Sequence, residues 1–121
     1  MDKLLSRRRV LVVEDEMMIL MMIEGMLEDL GCSSVMSAAT IDQALGLIDS
    51  QIFDVAMLDL NLDGHRTYPV ADRLAARGVP FLFSTGYSDH GLNEGYGDRP
   101  VLKKPFQHEE LAEILLQLLD H

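Results

Sequence analysis

Only one cysteine, Cys32, stands in the 121 residues, so neither an intrachain disulfide nor a cysteine-built zinc cluster can form. It follows Gly31 at an expected helix end, where a small half-buried side chain is its ordinary state. Long apolar runs are also missing. The longest, Met17 to Ile23, has seven residues, against the ~20 needed to cross a bilayer. The segment from Met1 to Arg9 lacks the order of a signal peptide, because its basic cluster sits just before an expected core strand. No membrane association and a cytoplasmic location are the resulting expectations. Basic residues are scarce too: 10 Lys and Arg face 20 Asp and Glu, for a formal charge of −10. A duplex-binding surface needs clustered Lys and Arg, so nucleic acid is not an expected partner. Arg7 to Arg9, at a strand entrance, read as a solvated edge. What is present is ordinary for a globular chain, with 48% apolar and 25% charged residues. The length suits one domain with a real core, and nothing follows His121, so a single domain without an output domain is expected.

Hydrophobic periodicity predicts five short apolar runs alternating with helical patterns. Val10-Leu11-Val12-Val13 is continuous and β-branched, as in a strand buried on both faces. A helix is predicted from Met17 to Leu30, stopped by Gly31. A weaker strand spans Val35 to Ala39, and Thr40-Ile41-Asp42-Gln43 reads as a capping box for the next helix. Val55 to Leu58 is the third strand and delivers Asp59 at its end. Residues 61–67 are predicted as loop, with Asp63-Gly64 as a turn signal, and Pro69 suits the first turn of a third helix that stops at Gly78. Phe81 to Phe83 and Pro100 to Lys103 are the last two strands. The final helix carries the stripe Leu111, Ile114, Leu115 and Leu118. Between these strands, Gly86, Gly91, Gly95 and Gly97 make the fourth helix short, irregular or disordered, since each interior glycine costs about 1 kcal/mol relative to alanine. The expected fold is α/β, a doubly wound five-stranded parallel sheet with helices on both faces.

Such sheets bind ligands outside the carboxyl ends of their strands. There the sequence puts Glu14 and Asp15, Asp59, Ser84 and Thr85, and Lys104. Three carboxylates crowded together repel unless a cation intervenes, and Mg²⁺ suits a site with few protein oxygens and several waters. Mg²⁺ and a lysine ammonium together receive a phosphoryl group, and Thr85 adds a neutral donor. A carboxylate can serve as nucleophile and form an acyl phosphate. Asp59 suits that role, on a strand-fixed backbone before a loop. Each residue alone has a plain structural reading, as helix cap, loop carboxylate or surface lysine. Their joint occurrence at successive strand ends carries the argument.

The pieces Val12-Val13-Glu14-Asp15-Glu16, Val55-Ala56-Met57-Leu58-Asp59-Leu60, Ser84-Thr85-Gly86 and Leu102-Lys103-Lys104-Pro105-Phe106 resemble the receiver domain of bacterial two-component response regulators, over essentially the whole chain. The resemblance implies a flavodoxin-like sheet of strand order 2-1-3-4-5. It implies Asp59 as phosphoacceptor, and Mg²⁺ on Asp15, Asp59 and the Asn61 carbonyl, with Glu14 acting through a metal-bound water. It implies Thr85 and Lys104 on the phosphoryl oxygens, and a cis Lys104-Pro105 peptide. A histidine kinase or phosphotransfer protein would supply the phosphoryl group. The stretch Pro80-Phe81-Leu82-Phe83-Ser84-Thr85-Gly86-Tyr87 is similar to the FAT GUY receivers of alphaproteobacteria, with Ser84 in place of an alanine. That group implies a stand-alone regulator served by HWE-type kinases. It would act by phosphorylation-dependent protein contact or as a phosphate sink. Only self-catalysed phosphotransfer and slow autodephosphorylation are implied, with Asn61 and Tyr87 tuning lifetime.

Val101 stands where most receivers carry a switching Tyr or Phe. A valine cannot report by swinging a ring, so residues 86–97 are the expected switch element. Asp59-Leu60-Asn61-Leu62-Asp63-Gly64 imitates half of an EF-hand loop, but its twelfth position is Val70 and a strand precedes it. Met17, Met18, Met21, Met22 and Met26 cluster on the first helix. Packing accounts for Met26 and Ile23. For Met18, Met21 and Met22, burial stays open against exposure as a docking face for a kinase helix pair or a second copy. Two rival readings also stay open: a haloacid-dehalogenase-type phosphatase, which would need a second Asp where Asn61 stands, and a receiver-like interaction domain that is never phosphorylated.

Overall fold

A computed structural model describes residues 5–86 and 99–120. In chain order the elements are β1 (Arg9–Val13), α1 (Met17–Asp29), β2 (Ser34–Ala38), α2 (Ile41–Ser50), β3 (Val55–Asp59), β4 (Asn61–Leu62), β5 (His65–Arg66), α3 (Tyr68–Ala76), β6 (Phe81–Thr85), β7 (Val101–Lys103) and α4 (His108–Leu119). The main sheet is parallel throughout, in the order β2-β1-β3-β6-β7. This is the expected 2-1-3-4-5 order, renumbered because β4 and β5 intervene. The fourth-helix expectation, and with it the switch segment and Tyr87, falls on residues 87–98 and lies outside the described residues.

Strand alternation divides the core. Leu11, Val13, Ala56, Leu58, Phe81 and Phe83 turn to the side closed by α2 and α3. Val10, Val12, Val55, Met57 and Leu82 turn to the side closed by α1 and α4. Both faces of the three central strands are therefore buried, which is why their sequences read as continuous apolar runs rather than alternating ones. Each Leu or Phe so buried contributes about 1.5–3 kcal/mol of transfer free energy. Asp59 ends one of these strands and inherits their rigidity.

The helix stops follow the predicted glycines. After α1, Gly31 takes φ 95°, and Cys32 N–H donates to the Leu27 carbonyl (3.0 Å) while Gly31 N–H donates to that of Glu28 (2.9 Å). After α3, Gly78 at φ 71° repeats the pattern on Leu74 and Ala75. These are Schellman closures, and the positive φ favours glycine in each. Cys32 is buried rather than half-buried, and burial pushes its thiol pKa up.

Two local expectations differ from the structure. The predicted capping box at Thr40 is half formed: Thr40 Oγ1 accepts from Gln43 N–H (3.1 Å), but Gln43 Oε1 takes the N–H of Ala39 rather than that of Thr40 (2.9 Å). Residues 61–67 are not simply loop, because β4 and β5 pair antiparallel across Asp63 and Gly64. Those two residues take φ 49° and 87°, the pair of positive values that a tight two-residue hairpin turn demands. The box that was not foreseen caps α4, where the Gln107 side chain and Glu110 exchange bonds with each other's backbone N–H. Among the described residues, no helix is long and apolar enough to cross a membrane.

Candidate functional site

Parallel register sets the site. Asp59 is the last residue of β3 and lies opposite Ser84 of β6, with Thr85 one position further on. Glu14 and Asp15 follow the end of β1, and Lys104 follows the end of β7. The Lys104-Pro105 peptide is cis. Lys104 N–H donates to the Thr85 carbonyl (2.8 Å), which anchors the lysine backbone beside β6. Leu60 N–H donates to the Ser84 carbonyl (2.9 Å), carrying the pairing of β3 one residue past the acidic side chain.

The side chains converge. Carboxylate oxygens of Glu14, Asp15 and Asp59 all lie within 4.8 Å of one another. Lys104 Nζ donates to Glu14 Oε1 (2.8 Å) and to Asp59 Oδ2 (3.2 Å). The other Asp59 oxygen, Oδ1, accepts the N–H of Asn61 (3.2 Å), and Glu14 Oε2 accepts that of Glu16 (3.1 Å). Glu14 is only 1% exposed and Asp59 and Thr85 are 6% exposed, whereas Asp15 and Asn61 face solvent. The predicted residues Glu14, Asp15, Asp59, Asn61, Thr85 and Lys104 thus gather at one edge of the sheet. Tyr87 lies outside the described residues.

One ammonium shared by two buried carboxylates leaves negative charge uncompensated. Burial, and after it the charge of Glu14, raises the Asp59 pKa from 3.8 to about 6, against the opposing pull of Lys104 and the Asn61 N–H. Lys104 also moves upward: burial would lower it, but its hydrogen bond to Glu14 and the charges of Asp59 and Glu14 together prevail. Three carboxylates with hard oxygen donors and a charge deficit fit a hard divalent cation, with room for further ligands on the open Asp15 and Asn61 side. The arrangement offers a carboxylate nucleophile, a cation beside it and a buried hydroxyl one register position away.

Thr67 is a residue that sequence reasoning missed. It is fully buried, and its Oγ1 donates to the Asp59 carbonyl (2.8 Å) and, more weakly, to that of Leu60 (3.4 Å). Its N–H also donates to the Leu60 carbonyl (3.1 Å). The available signal was a threonine two residues before Pro69, at a helix start.

Beside the site, α1 resolves the open question on its methionines. Leu20, Ile23 and Leu27 face the core, while Met18 is 85% exposed and Met17 66%, with Met21 and Met22 also exposed. Met26 packs partly against the core. An apolar surface therefore adjoins the acidic edge, since α1 begins two residues after Asp15.

Comparison with known proteins agrees with this geometry. Residues 10–116 match the family model described as the response regulator receiver domain. The phyllosphere-induced regulator PhyR of Methylorubrum extorquens is 31% identical over 117 residues, covering 91% of this chain and 43% of that protein. The chain spans less than half the length of the curated relatives it matches. Among solved structures, SdrG from Sphingomonas melonis Fr1 superposes with a TM-score of 0.84 at 43% identity, covering 96% of this chain and 98% of that one. The receiver domain of sensor histidine kinase PA1611 from Pseudomonas aeruginosa, solved with magnesium in its active-site cleft, gives a TM-score of 0.78 at 26% identity, covering 94% and 98%. The parallel sheet, the acidic cluster at its carboxyl edge and the matched stretch lead to one conclusion: the chain belongs to the response regulator receiver domain family, the phosphorylation-dependent signalling receivers of two-component systems.

Proposed function

We propose that Asp59 accepts a phosphoryl group from a histidine kinase or phosphotransfer protein, and that Glu14, Asp15, Asn61, Thr85 and Lys104 make that transfer possible. The observation that carries the reading is the buried carboxylate of Asp59, held on one oxygen by Lys104 Nζ and on the other by the Asn61 N–H. An Asp59 oxygen attacks phosphorus, the new O–P bond makes an acyl phosphate, and the bond from phosphorus to the donor imidazole breaks with its electrons leaving on nitrogen. Lys104 meets the charge of the transferring group, and the Thr85 hydroxyl donates to one of its oxygens. Asp15, Asp59 and the Asn61 carbonyl would hold Mg²⁺, with Glu14 closing the negative wall behind them. When bound, the ion neutralises charge on the phosphoryl oxygens. The magnesium reported in the PA1611 cleft supports this choice of metal.

The finer parts of the reading have their own support. The exposed Met17, Met18, Met21 and Met22, beside the acidic edge, suit an adaptable docking face for the kinase helices. The similarity to SdrG over 98% of that chain supports a regulator that works as a single receiver domain, and the FAT GUY-like stretch Pro80 to Tyr87 is the ground for an HWE-type kinase as its phosphoryl source. Such a protein acts by phosphorylation-dependent contact or as a phosphate sink, and its only chemistry is self-phosphorylation and slow autodephosphorylation in the cytoplasm. Intact-mass measurement after acetyl phosphate and Mg²⁺ tests the core of the proposal. One added phosphoryl group is expected on the native chain and none on Asp59→Ala; equal labelling of the two would end it.

A further inference from the structure

Thr67 occupies the N-cap of α3, yet its hydroxyl makes no capping bond. The sequence explains why it is free of that duty. A threonine cap ordinarily accepts from the second or third N–H of its helix. Here Pro69, at the second position, has no N–H, and the N–H of Val70, at the third, donates to the Thr67 backbone carbonyl (3.0 Å), as does that of Ala71 (3.0 Å). The hydroxyl turns the other way, into a fully buried position, and donates to the Asp59 carbonyl at 2.8 Å across eight residues of chain.

We infer that Thr67 is a positioning residue for phosphoryl acceptance: with its hydroxyl on the carbonyl of residue 59 and its N–H on that of residue 60, it sets the backbone that aims the Asp59 carboxylate. The two carbonyls it fastens bracket the peptide groups that lead to the Asn61 N–H, and that N–H holds Asp59 Oδ1 (3.2 Å). Rotation of either peptide group would swing the Asn61 N–H away and leave the carboxylate held only through Lys104. The same backbone turn directs the Asn61 carbonyl. The link runs from α3, through Thr67, to the nucleophile, and it is made by the β4–β5 hairpin folding back so that residue 67 meets residue 59. The inference rests on Asp59 being the acceptor.

The test uses the full chain with Mg²⁺ and acetyl phosphate, a donor too small to depend on the docking face. Thr67→Val keeps the shape and removes the donor; Thr67→Ser keeps the donor. Val70→Ala loosens the buried start of α3 without touching the hydroxyl. Misplacement of a nucleophile is expected to lower the saturating rate of Thr67→Val by about tenfold, with the half-saturating acetyl phosphate concentration unchanged. Thr67→Ser should stay within about twofold of wild type, and Val70→Ala should keep the wild-type rate despite a lower melting temperature. The amide resonance of Asn61 should move in Thr67→Val and return in Thr67→Ser. A wild-type saturating rate in folded Thr67→Val overturns the inference, as does an equal loss in Val70→Ala. If Thr67→Val does not fold, Thr67→Ala removes the same hydroxyl and is read by the same criteria. Failure of the acceptor assignment itself looks different: the wild-type chain then takes no phosphoryl group on Asp59, and the role of Thr67 falls with it.

Discussion

Two carboxylates on this molecule meet basic partners and respond in opposite directions. Asp49, on α2, lies in solvent between Arg73 and Arg77 of the α3 end. Hydrogen bonding to Arg73 lowers its pKa below the usual carboxylate value. Asp59 is buried, faces Glu14 and shares a single ammonium with it, and its pKa rises to about 6. Among the described residues, Asp49 has two cations for one anion, whereas the Asp59 site has one cation for three anions. A charge pair that serves the fold is satisfied within the chain. The other is left short of positive charge, which is the state a site needs when its missing charges come from a ligand.

The sharpest way to break that contrast is to remove the one cation. Lys104→Met should lower phosphorylation by acetyl phosphate about 100-fold, since a preorganised charge aimed at the transferring group is lost. The checking measurement is the rate of acyl phosphate formation at saturating Mg²⁺, and an unchanged rate would move the receptor role away from Lys104. The same imbalance predicts a stability effect. The raised pKa means that the folded state holds its proton more tightly than the unfolded chain does. Stability is therefore highest below the ordinary value of 3.8, is lost as pH rises through about 6, and stays low above it. Asp59→Asn should thus stabilise the metal-free chain at pH 7 by about 1–2 kcal/mol, once solvent screening is allowed for. Urea denaturation at pH 7 and pH 4.5 checks this, because the advantage must shrink at the lower pH.

Adding the missing charge should work in the same direction. Mg²⁺ at 100 times its dissociation constant is expected to stabilise the wild type by about 2.7 kcal/mol by mass action, and Asp59→Asn by less. Thermal melts with Mg²⁺ and with EDTA separate the two proteins; equal gains would place the ion elsewhere. The smallest effect belongs to the other carboxylate. Asp49→Asn should leave the melting temperature nearly unchanged at pH 7 and physiological salt, because exposed ion pairs contribute little. Its sign is opposite: the lowered pKa contributes stability above the unfolded value and loses it as pH falls through the folded one. Carbon-detected NMR titration of the two carboxyl groups should place their midpoints on opposite sides of the ordinary Asp range.

Much of this contrast was legible in the chain, and some was not. Asp59 and Thr85 could be named because each ends a short run of apolar residues that is buried throughout, and Lys104 because it follows the last strand; parallel strands present their carboxyl ends together. Asp63-Gly64 announced a turn, but not that Leu62 and His65 would pair across it. Two residues on either side carry too little periodicity to distinguish strand from loop. Met18 and Leu20 look alike in composition, and their fates, 85% and 8% exposed, were set by which side of α1 met the sheet.

By itself, the sequence determined the five strands of the main sheet, their parallel assembly, the two glycine-closed helix ends and the acidic edge, because these follow from local period, backbone freedom and topology. Tertiary structure alone decided which oxygen of Asp59 meets Lys104, that Glu14 competes for the same ammonium, and that the Thr67 hydroxyl leaves its helix for the Asp59 carbonyl. Those bonds join residues 8, 45 and 90 positions apart. Their existence depends on ångström-scale distances and on burial, neither of which has a signature in residue order.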